Sequence, residues 1–422
     1  MPNNQNMKHA HDRQSLPEYI RGLAAGKFRL KDVAQSTGYS RQWISTLKKN
    51  YLLKGDAAFV HGNKGRTPVN KMPYALKKQI LSIYQTSYKD VNFSYYVECL
   101  REFSNIRTSY RMVYNILHEA GIRSPEQRKV KRKNKIHRPR IRREHEGDMI
   151  QLDGTPYAWF YKFGNLERFC ISGSVDDATS KITGLYMTEN ECLYGYMEVL
   201  RQTCTKFGVP REAYTDRAAI FCHTPKNTAK LAAWERLEIV KEKHTQWQRI
   251  LEEMHVNQIL AWSPEAKGRV ERMWHTLQGQ LPQWLYLHGA DTVEKANALL
   301  PEYIEWYNSH FAVEAHAPSD YWRESPEKLN DILCARFSRR VDRQGCVTFQ
   351  GTQFYTPSKT FICVDAEVCI SERGMYLFYK GLYYPLVPVG NKVQQTVGDS
   401  MPQVVENIIH RYLYAFAKEI SA

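Results

Sequence analysis

Alternating strand and helix signals run through the middle of the chain, from about residue 146 to 313. Three short apolar runs separated by turn residues, at 148–153, 168–176 and 181–188, predict a meander of strands. A helix follows, with apolar residues three or four positions apart at Leu193, Met197, Leu200, Cys204 and Phe207.

The same region continues with a strand at 213–216, a helix at 246–254 and a strand at 256–262. A last helix begins at Gly268, and its buried stripe consists of Val270, Trp274, Leu277 and Leu281. The predicted order is three strands, helix, strand, helix, strand, helix. We therefore expect an α/β core with a mixed five-stranded sheet.

Residues 29–50 have the apolar spacing of a helix-turn-helix, with Gly38 at the turn and Ile44 and Leu47 burying the second helix. An ordinary helical hairpin would give a similar pattern. As a DNA-reading unit, its exposed face would offer these candidate contacts: Ser40, Arg41, Gln42, Ser45 and Lys48.

Further segments flank the core. The sequence predicts a helix-turn-helix domain at 1–56, a linker at 57–73, a second helical domain of similar type at 74–123, a basic linker at 124–145, the core at 146–313, a small β-barrel at 330–395 and a tail at 396–422. The barrel rests on alternating apolar and polar residues between glycine-containing turns. Arg66 in the first linker could enter a DNA minor groove, although a bare linker would look the same.

Residues 128–143 contain ten Lys or Arg and no acid. A solvated charge run is one interpretation, and phosphate contact is the one favoured beside helix-turn-helix modules. The candidate contacts in this segment are Arg128, Lys129, Lys131, Arg132, Lys133 and Arg140.

The composition agrees with a nucleic-acid partner. The formal charge is +15, and no apolar run reaches the roughly 18 residues that a membrane span needs. The polar N-terminus has no export signal, so we expect a cytoplasmic protein. Nine cysteines without a CxxC pair predict reduced, mostly buried thiols.

Three acids on three predicted elements point to metal chemistry. Asp153 and Asp216 each end an apolar strand, and Glu271 lies beside the buried stripe of the last helix. Carboxylates that converge from several directions can hold two divalent ions for phosphodiester chemistry. Asp148 begins a strand and Asp176 with Asp177 lies in a turn, so these three acids are weaker candidates.

The motifs around these acids resemble the catalytic core of DDE transposases and retroviral-type integrases. They are Asp153-Gly154-Thr155, Thr215-Asp216 with Phe221, and Ser263-Pro264 through Lys267-Gly268-Arg269-Val270-Glu271-Arg272. The whole chain is most similar to the ISNCY type of bacterial insertion-sequence transposase. The chain departs from the family by Arg217-Ala218 in place of Asn-Gly, and by an insertion at about 222–243.

The resemblance implies a ribonuclease H-like core that uses two Mg²⁺ or Mn²⁺ ions held by Asp153, Asp216 and Glu271. It also implies double-stranded DNA partners, namely terminal inverted repeats and target DNA, and a homodimer or higher oligomer on DNA. A bacterial protein associated with the nucleoid is a further implication of the resemblance. Further candidate DNA contacts are Arg217, Lys267, Arg269 and His275. A DNA-binding regulator with an inactive core, or a ribonuclease for RNA:DNA hybrids, remains as an alternative.

Overall fold

A computed structural model describes residues 16–60, 65, 71–125, 141–222, 244–261, 268–357, 361–389 and 403–414. The chain forms two compact units, Met1–Gln79 and Ile80–Ala422. In the described ranges, no helix combines the length and the apolarity that crossing a membrane requires.

The first unit contains the predicted helix-turn-helix. Its helices are α1 (Leu16–Ala24), α2 (Leu30–Thr37) and α3 (Arg41–Lys54). Gly38 ends α2 with φ 71°, a left-handed conformation that glycine adopts without strain. Val33 of α2 and Ile44 of α3 are buried against α1, which the apolar pattern did not predict. The three helices therefore share one small core.

Three more helices follow: α4 (Tyr74–Ser87), α5 (Phe93–Phe103) and α6 (Tyr110–Glu119). Asn92 and Ser109 cap α5 and α6, each by accepting the backbone N–H three residues on. Buried tyrosines join these helices, since the hydroxyl of Tyr96 in α5 donates to the carbonyl of Ile80 in α4 at 2.6 Å. The second helical segment predicted at 74–123 is confirmed as helical.

The central elements are β1 (Met149–Tyr157), β2 (Phe169–Asp176), β3 (Ile182–Thr188), α7 (Leu193–Lys206), β4 (Glu212–Thr215), α8 (Gln246–Glu253), β5 (Asn257–Leu260), α9 (Gly268–Leu287) and α10 (Val293–Phe311). The strand order is β3-β2-β1-β4-β5. Neighbours among β1, β2 and β3 are antiparallel, whereas β1, β4 and β5 are parallel. The predicted mixed five-stranded sheet is confirmed, in the element order expected of a ribonuclease H-like core.

Helices cover both faces of this sheet. Ile150 and Leu152 of β1 pack with α7 and α8 on one face, and Ile171 and Val175 of β2 pack with α9 and α10 on the other. Alternate residues of one strand point to opposite faces. The side on which a β1 residue lies therefore decides which helices it meets.

Helix α5 packs directly on α9 and α10. The ring centroids of Tyr95 and Trp306 lie 5.7 Å apart, and those of Phe103 and Trp284 lie 6.3 Å apart. The indole of Trp306 also donates to Glu102 at 2.7 Å. The second helical segment thus shares a compact unit with the sheet, while the predicted domain limits stay predictions.

The C-terminal region consists of α11 (Leu329–Ile332), β6 (Ala335–Arg340), β7 (Cys346–Phe349), β8 (Thr352–Tyr355), β9 (Asp365–Ser371), β10 (Gly374–Tyr379), β11 (Leu382–Pro385), β12 (Val387–Pro388) and α12 (Gln403–Ile409). It forms a four-stranded sheet, β11-β10-β9-β6, and a three-stranded sheet, β12-β8-β7. The predicted small barrel is not confirmed, because neither sheet closes within the described residues. The pairing of β6 with β9 skips the β7–β8 hairpin, and local alternation does not reveal such a long-range choice.

None of the nine cysteines forms a disulfide, and all but Cys363 are buried. The prediction that most of these thiols are buried is confirmed.

Candidate active site

The parallel strands β1 and β4 lie side by side in the sheet. Their register pairs Gln151 with Tyr214. Asp153 and Asp216 each follow that pair by two positions, on strands that are about 4.8 Å apart. The register therefore brings together two of the three acids predicted from the sequence.

Both aspartates belong to the face of the sheet that α9 covers. Residues two apart on a strand share a face, so Asp153 lies on the side of Gln151, whose side chain accepts a hydrogen bond from α9 at 3.2 Å. Asp216 lies on the side of Tyr214, which packs with Met149 of the same face. The two carboxylates thus extend toward the same side of the sheet, one from the middle of β1 and one from the residue after β4.

Helix α9 runs along β1. Three hydrogen bonds of 3.0 to 3.2 Å join the two elements, and they pair Val270 with Gln151, Trp274 with Asp153, and Gln278 with Thr155. The first of these donors is a backbone N–H and the other two are side chains. The first turn of α9, which includes Glu271, consequently lies next to β1 between Gln151 and Asp153.

Glu271 is exposed in the first turn of α9. At about 100° per residue, it lies within about 20° of Gln278 around the helix. Met273 lies on the far side of the helix, against Gly173 of β2. Helical rotation therefore places Glu271 on the side of α9 away from β2.

Each aspartate accepts a hydrogen bond. The indole N–H of Trp274 donates to Oδ2 of Asp153 at 3.0 Å, and the backbone N–H of Ala218 donates to Oδ1 of Asp216 at 2.8 Å. Within the described ranges, no three His, Cys, Asp or Glu side chains lie close enough together to hold a metal ion. Two adjacent carboxylates nevertheless fit Mg²⁺, which prefers oxygen ligands and commonly binds through one or two carboxylates.

A buried carboxylate supports the start of α9. Asp177 is fully buried, and its Oδ1 accepts from the amide of Gln151 at 2.7 Å and pairs with the guanidinium of Arg269 at 3.1 Å. Its Oδ2 accepts the backbone N–H of Arg143 at 2.8 Å. Since Gln151 also accepts from Val270, this network fixes the turn of α9 on which Glu271 lies.

The neighbouring Asp176 closes the turn after β2. Its carboxylate accepts hydrogen bonds from Gly147 and from both the backbone and the hydroxyl of Thr179. Burial raises the pKa of Asp176 to about 6. The turn that was predicted for 176–177 is therefore present, and both of its acids are occupied by protein donors.

Glu191 lies next to Gly154, the residue after Asp153, and the sequence did not single it out. Its Oε1 accepts from the hydroxyl of the fully buried Tyr196 at 2.5 Å. A Cβ on Gly154, next to Asp153, would lie 3.0 Å from the same oxygen. Burial, with the negative charge of Glu191 as a further cause, raises the pKa of Tyr196. Glu191 is in the loop after β3, where no periodicity distinguishes it from Glu189.

The candidate DNA contacts lie in several places. In the first unit, Ser40, Arg41 and Gln42 are exposed, and Ser45 and Lys48 are half-buried. The hydroxyl of Ser40 accepts the backbone N–H of Trp43 at 3.2 Å, so it caps α3. These roles in DNA binding stay predictions.

Near the aspartates, Arg217 donates to the carbonyl of Ala261 at 3.3 Å, and His275 is exposed on α9. The side chain of Arg269 is only 14% exposed, and its guanidinium is paired with Asp177. This pairing favours a structural role for Arg269. Several predicted contacts lie outside the described residues: Arg66, Arg128, Lys129, Lys131, Arg132, Lys133, Arg140 and Lys267, together with 223–243 of the insertion.

No protein-family model matches the chain. A transposase of insertion sequence IS1202 from Streptococcus pneumoniae is 29% identical over 371 residues, covering 81% of this chain and 77% of the relative. A second relative, from Sinorhizobium fredii and also named as a transposase, is 29% identical over 337 residues, covering 79% of this chain and 70% of the relative. The chain is similar to insertion-sequence transposases.

Two solved structures also match at low similarity. The simian T-cell lymphotropic virus intasome covers 73% of this chain with 11% identity and a TM-score of 0.30. The HTLV-2 integrase catalytic core in complex with magnesium covers 42% of this chain with 16% identity and a TM-score of 0.27. These scores carry no weight for the fold, which rests on the strand order and register described above.

The similarity to insertion-sequence transposases extends over most of the chain, so it includes the stretch that contains the three acids. Asp216 directly follows β4 and Glu271 lies in the first turn of a helix, as the motifs predicted. The prediction that Asp153 ends its strand is wrong, because β1 continues past Asp153 to Tyr157, where it still pairs with β2. The Ser263-Pro264 part of the third motif lies outside the described residues.

Proposed function

We propose that the protein is a DNA transposase of an insertion sequence, which cleaves DNA at the ends of that sequence and joins them to target DNA. The observation that carries the proposal is the juxtaposition of Asp153 and Asp216 on one face of the sheet, with α9 hydrogen-bonded along the same strand. Similarity to insertion-sequence transposases over most of the chain supports it.

Asp153, Asp216 and Glu271 would hold two divalent cations, Mg²⁺ or Mn²⁺. When bound, such ions supply Lewis-acid stabilisation to the entering and leaving oxygens of a phosphodiester. The three carboxylates would bind the two ions and orient them. Strands β1 and β4 would hold the two aspartates in place beside the scissile phosphate. Positioning and electrostatic stabilisation are sufficient for in-line phosphoryl transfer, so no covalent enzyme intermediate is required.

The helical segments would bind the DNA ends. Helix α3 is the recognition helix of the first unit, with Arg41 and Gln42 exposed in its first turn. In the second unit, α6 follows α5 in the same manner, and Arg107 and Arg111 are exposed beside its start. The net charge of +15 favours a polyanion throughout. Because α5 packs on α9 and α10, DNA bound at α6 would have a fixed position relative to Asp153.

Joining both ends of an insertion sequence to one target requires two active sites. We therefore expect at least a homodimer on DNA. Free protein need not be dimeric, because the two DNA ends themselves can bring the copies together.

Strand cleavage tests the proposal. Duplex DNA from either side of the coding sequence, where an insertion sequence has its terminal repeats, is incubated with Mg²⁺ or Mn²⁺ and resolved on a denaturing gel. Wild type should nick the DNA at one position per end, and Asp216→Asn should bind the same DNA in a mobility-shift assay without cutting it. Asp291→Asn is the matched control, because Asp291 is exposed and pairs with Lys295 on the surface.

Each outcome separates the candidate functions. Loss of cleavage in Asp216→Asn alone supports the transposase. Equal binding by wild type and variant with cleavage by neither identifies a DNA-binding regulator with an inactive core. Cleavage of an RNA:DNA hybrid in preference to duplex DNA identifies a ribonuclease.

A further inference from the structure

The carboxylate of Asp153 is held by a tryptophan of the helix that also carries Glu271. The indole N–H of Trp274 donates to Oδ2 of Asp153 at 3.0 Å, and the side chain of Trp274 is buried, with 5% of the residue exposed. A carboxylate can rotate about its last single bond unless one of its oxygens is fixed. A buried indole has few rotamers available, so this bond fixes the orientation of both oxygens.

A glycine makes room for that indole. Gly173 is the direct cross-strand partner of Asp153 in the β1–β2 pair. A Cβ at Gly173 would lie 2.7 Å from Cη2 of Trp274 and 2.8 Å from a methyl group of Leu185. Real Cβ atoms do not approach other atoms so closely, so any larger residue at 173 would displace the ring. Because glycine has no side chain, residue 173 leaves the space in which the indole of Trp274 reaches Asp153.

The donor is also electrically neutral. A Lys or Arg in the same place would offset part of the negative charge that attracts a cation, whereas an indole N–H orients the carboxylate and leaves its full charge. Hydrogen bonds of this kind, made to a ligand rather than to the metal, typically alter metal affinity or activity by about 10- to 100-fold when removed.

We propose that Trp274 is a positioning residue that orients Asp153 for binding a divalent cation, and that Gly173 provides the space it needs. The inference rests on the proposed function, since it assumes that Asp153 is a cation ligand. Trp274 would act through Asp153 and would not touch the DNA or the reacting atoms.

The chain offers a matched control for the loss of the N–H. Trp284 lies on the same helix and is equally buried, with 4% exposed, and its indole N–H has no hydrogen-bond partner among the described residues. Trp284→Phe and Trp274→Phe therefore remove the same atoms, each from a buried position on α9. Only the second change removes a hydrogen bond to Asp153.

Cation binding by the full-length protein gives a readout that does not depend on cleavage. Mn²⁺ is titrated into each protein, and the free ion is measured by electron paramagnetic resonance. We expect Trp274→Phe to weaken Mn²⁺ binding by about 10- to 100-fold and Trp284→Phe to leave it at the wild-type value. Equal affinities for the two variants would overturn the inference.

Asp153→Asn separates the proposed role of Asp153 as a cation ligand from the proposed role of Trp274 in orienting it. If this variant binds Mn²⁺ as well as wild type, Asp153 is not a ligand and the proposed function loses its metal site. If Asp153→Asn loses binding while Trp274→Phe keeps it, the active site stands and only the positioning role of Trp274 is refuted.

Gly173→Ala provides an independent variant in case Trp274→Phe does not fold. The added methyl group should displace the indole and weaken Mn²⁺ binding to a similar extent. In the double variant Gly173→Ala, Trp274→Phe, the phenyl ring lacks the Cη2 atom that the methyl group would meet. The losses should therefore not add, because both changes remove the same hydrogen bond. Additive losses would show that Gly173 and Trp274 act separately, contrary to the inference.

Discussion

Replacing Asp177 by Ala should destabilise the second unit strongly. The Asp177 carboxylate is fully buried and satisfies three donors: the backbone N–H of Arg143, the amide of Gln151 and the guanidinium of Arg269. The Arg269 side chain is only 14% exposed, so water cannot fully replace the lost partner. The change leaves a largely buried positive charge and two neutral donors without their acceptor.

The magnitude follows from these burials. Removing one partner of a buried ion pair costs about 3–5 kcal/mol, mostly because the remaining charge is uncompensated. Each buried neutral donor that loses its acceptor would add about 1–3 kcal/mol if nothing relaxed. Because the side chain of Arg143 is partly exposed and local relaxation is possible there, we expect a total near the ion-pair figure, about 4 kcal/mol.

Urea unfolding followed by tryptophan fluorescence measures this change. Eight of the nine tryptophans lie in the second unit, so the signal reports mainly on the part of the chain that contains Asp177. Asp291→Ala is the control, because it removes one partner of a surface ion pair. The Asp291 side chain is 48% exposed and that of its partner Lys295 is 58% exposed. Surface pairs contribute little, and the control should unfold at the wild-type midpoint.

A double variant identifies the cause. If the cost comes from the uncompensated charge of Arg269, then Asp177→Ala combined with Arg269→Ala should cost at least about 1 kcal/mol less than the two single changes added together. An Asp177→Ala midpoint equal to that of Asp291→Ala would refute the reasoning. Strict additivity in the double variant would refute the ion-pair explanation while leaving Asp177 important for another reason.

Three further predictions concern other elements. Ser40→Ala removes the cap on Trp43 and should destabilise α3 by about 1 kcal/mol, seen as faster amide exchange at 41–54. Gly184→Ala would place a Cβ 2.6 Å from the carbonyl oxygen of Val199, and should lower the urea midpoint by the equivalent of about 1–3 kcal/mol. Asp176 has its pKa raised to about 6 in the fold from an ordinary 3.8, so its contribution is fully present below about pH 4 and is lost as pH rises to 6. When the free energy of unfolding is measured against pH, wild type should lose up to about 3 kcal/mol between pH 4 and pH 6 from this group, and Asp176→Asn should not show this loss.

Local patterns predicted the elements of the core well. Apolar runs that end in a charge are hard to explain by packing alone, and this feature identified Asp153 and Asp216 before any contact was known. The stripe of Val270, Trp274, Leu277 and Leu281 likewise predicted the buried side of α9, and all four residues are buried. In each case the information lies within a few residues of sequence.

What the sequence did not predict depends on contacts between distant segments. Gly173 reads as an ordinary glycine in a strand, and its importance is evident only where Trp274 lies against it. Glu191 belongs to a polar loop, and only the fold brings it to Gly154. The C-terminal strands alternate as predicted, but alternation does not say which strand pairs with which, so two sheets formed where a barrel was expected.

The spacing of the three bonds between α9 and β1 explains how a helix that begins more than a hundred residues later in the chain is positioned so closely. Four helical residues rise about 6 Å, and two strand residues rise about 6.6 Å. Donors at Val270, Trp274 and Gln278 therefore stay in step with acceptors on every second residue of β1. A shift of α9 by one residue would turn the donors away from the strand by about 100° and break all three bonds together. The position of the first turn of α9 relative to Asp153 thus depends on this match between two repeats, and each of the three bonds helps to hold the candidate site in place.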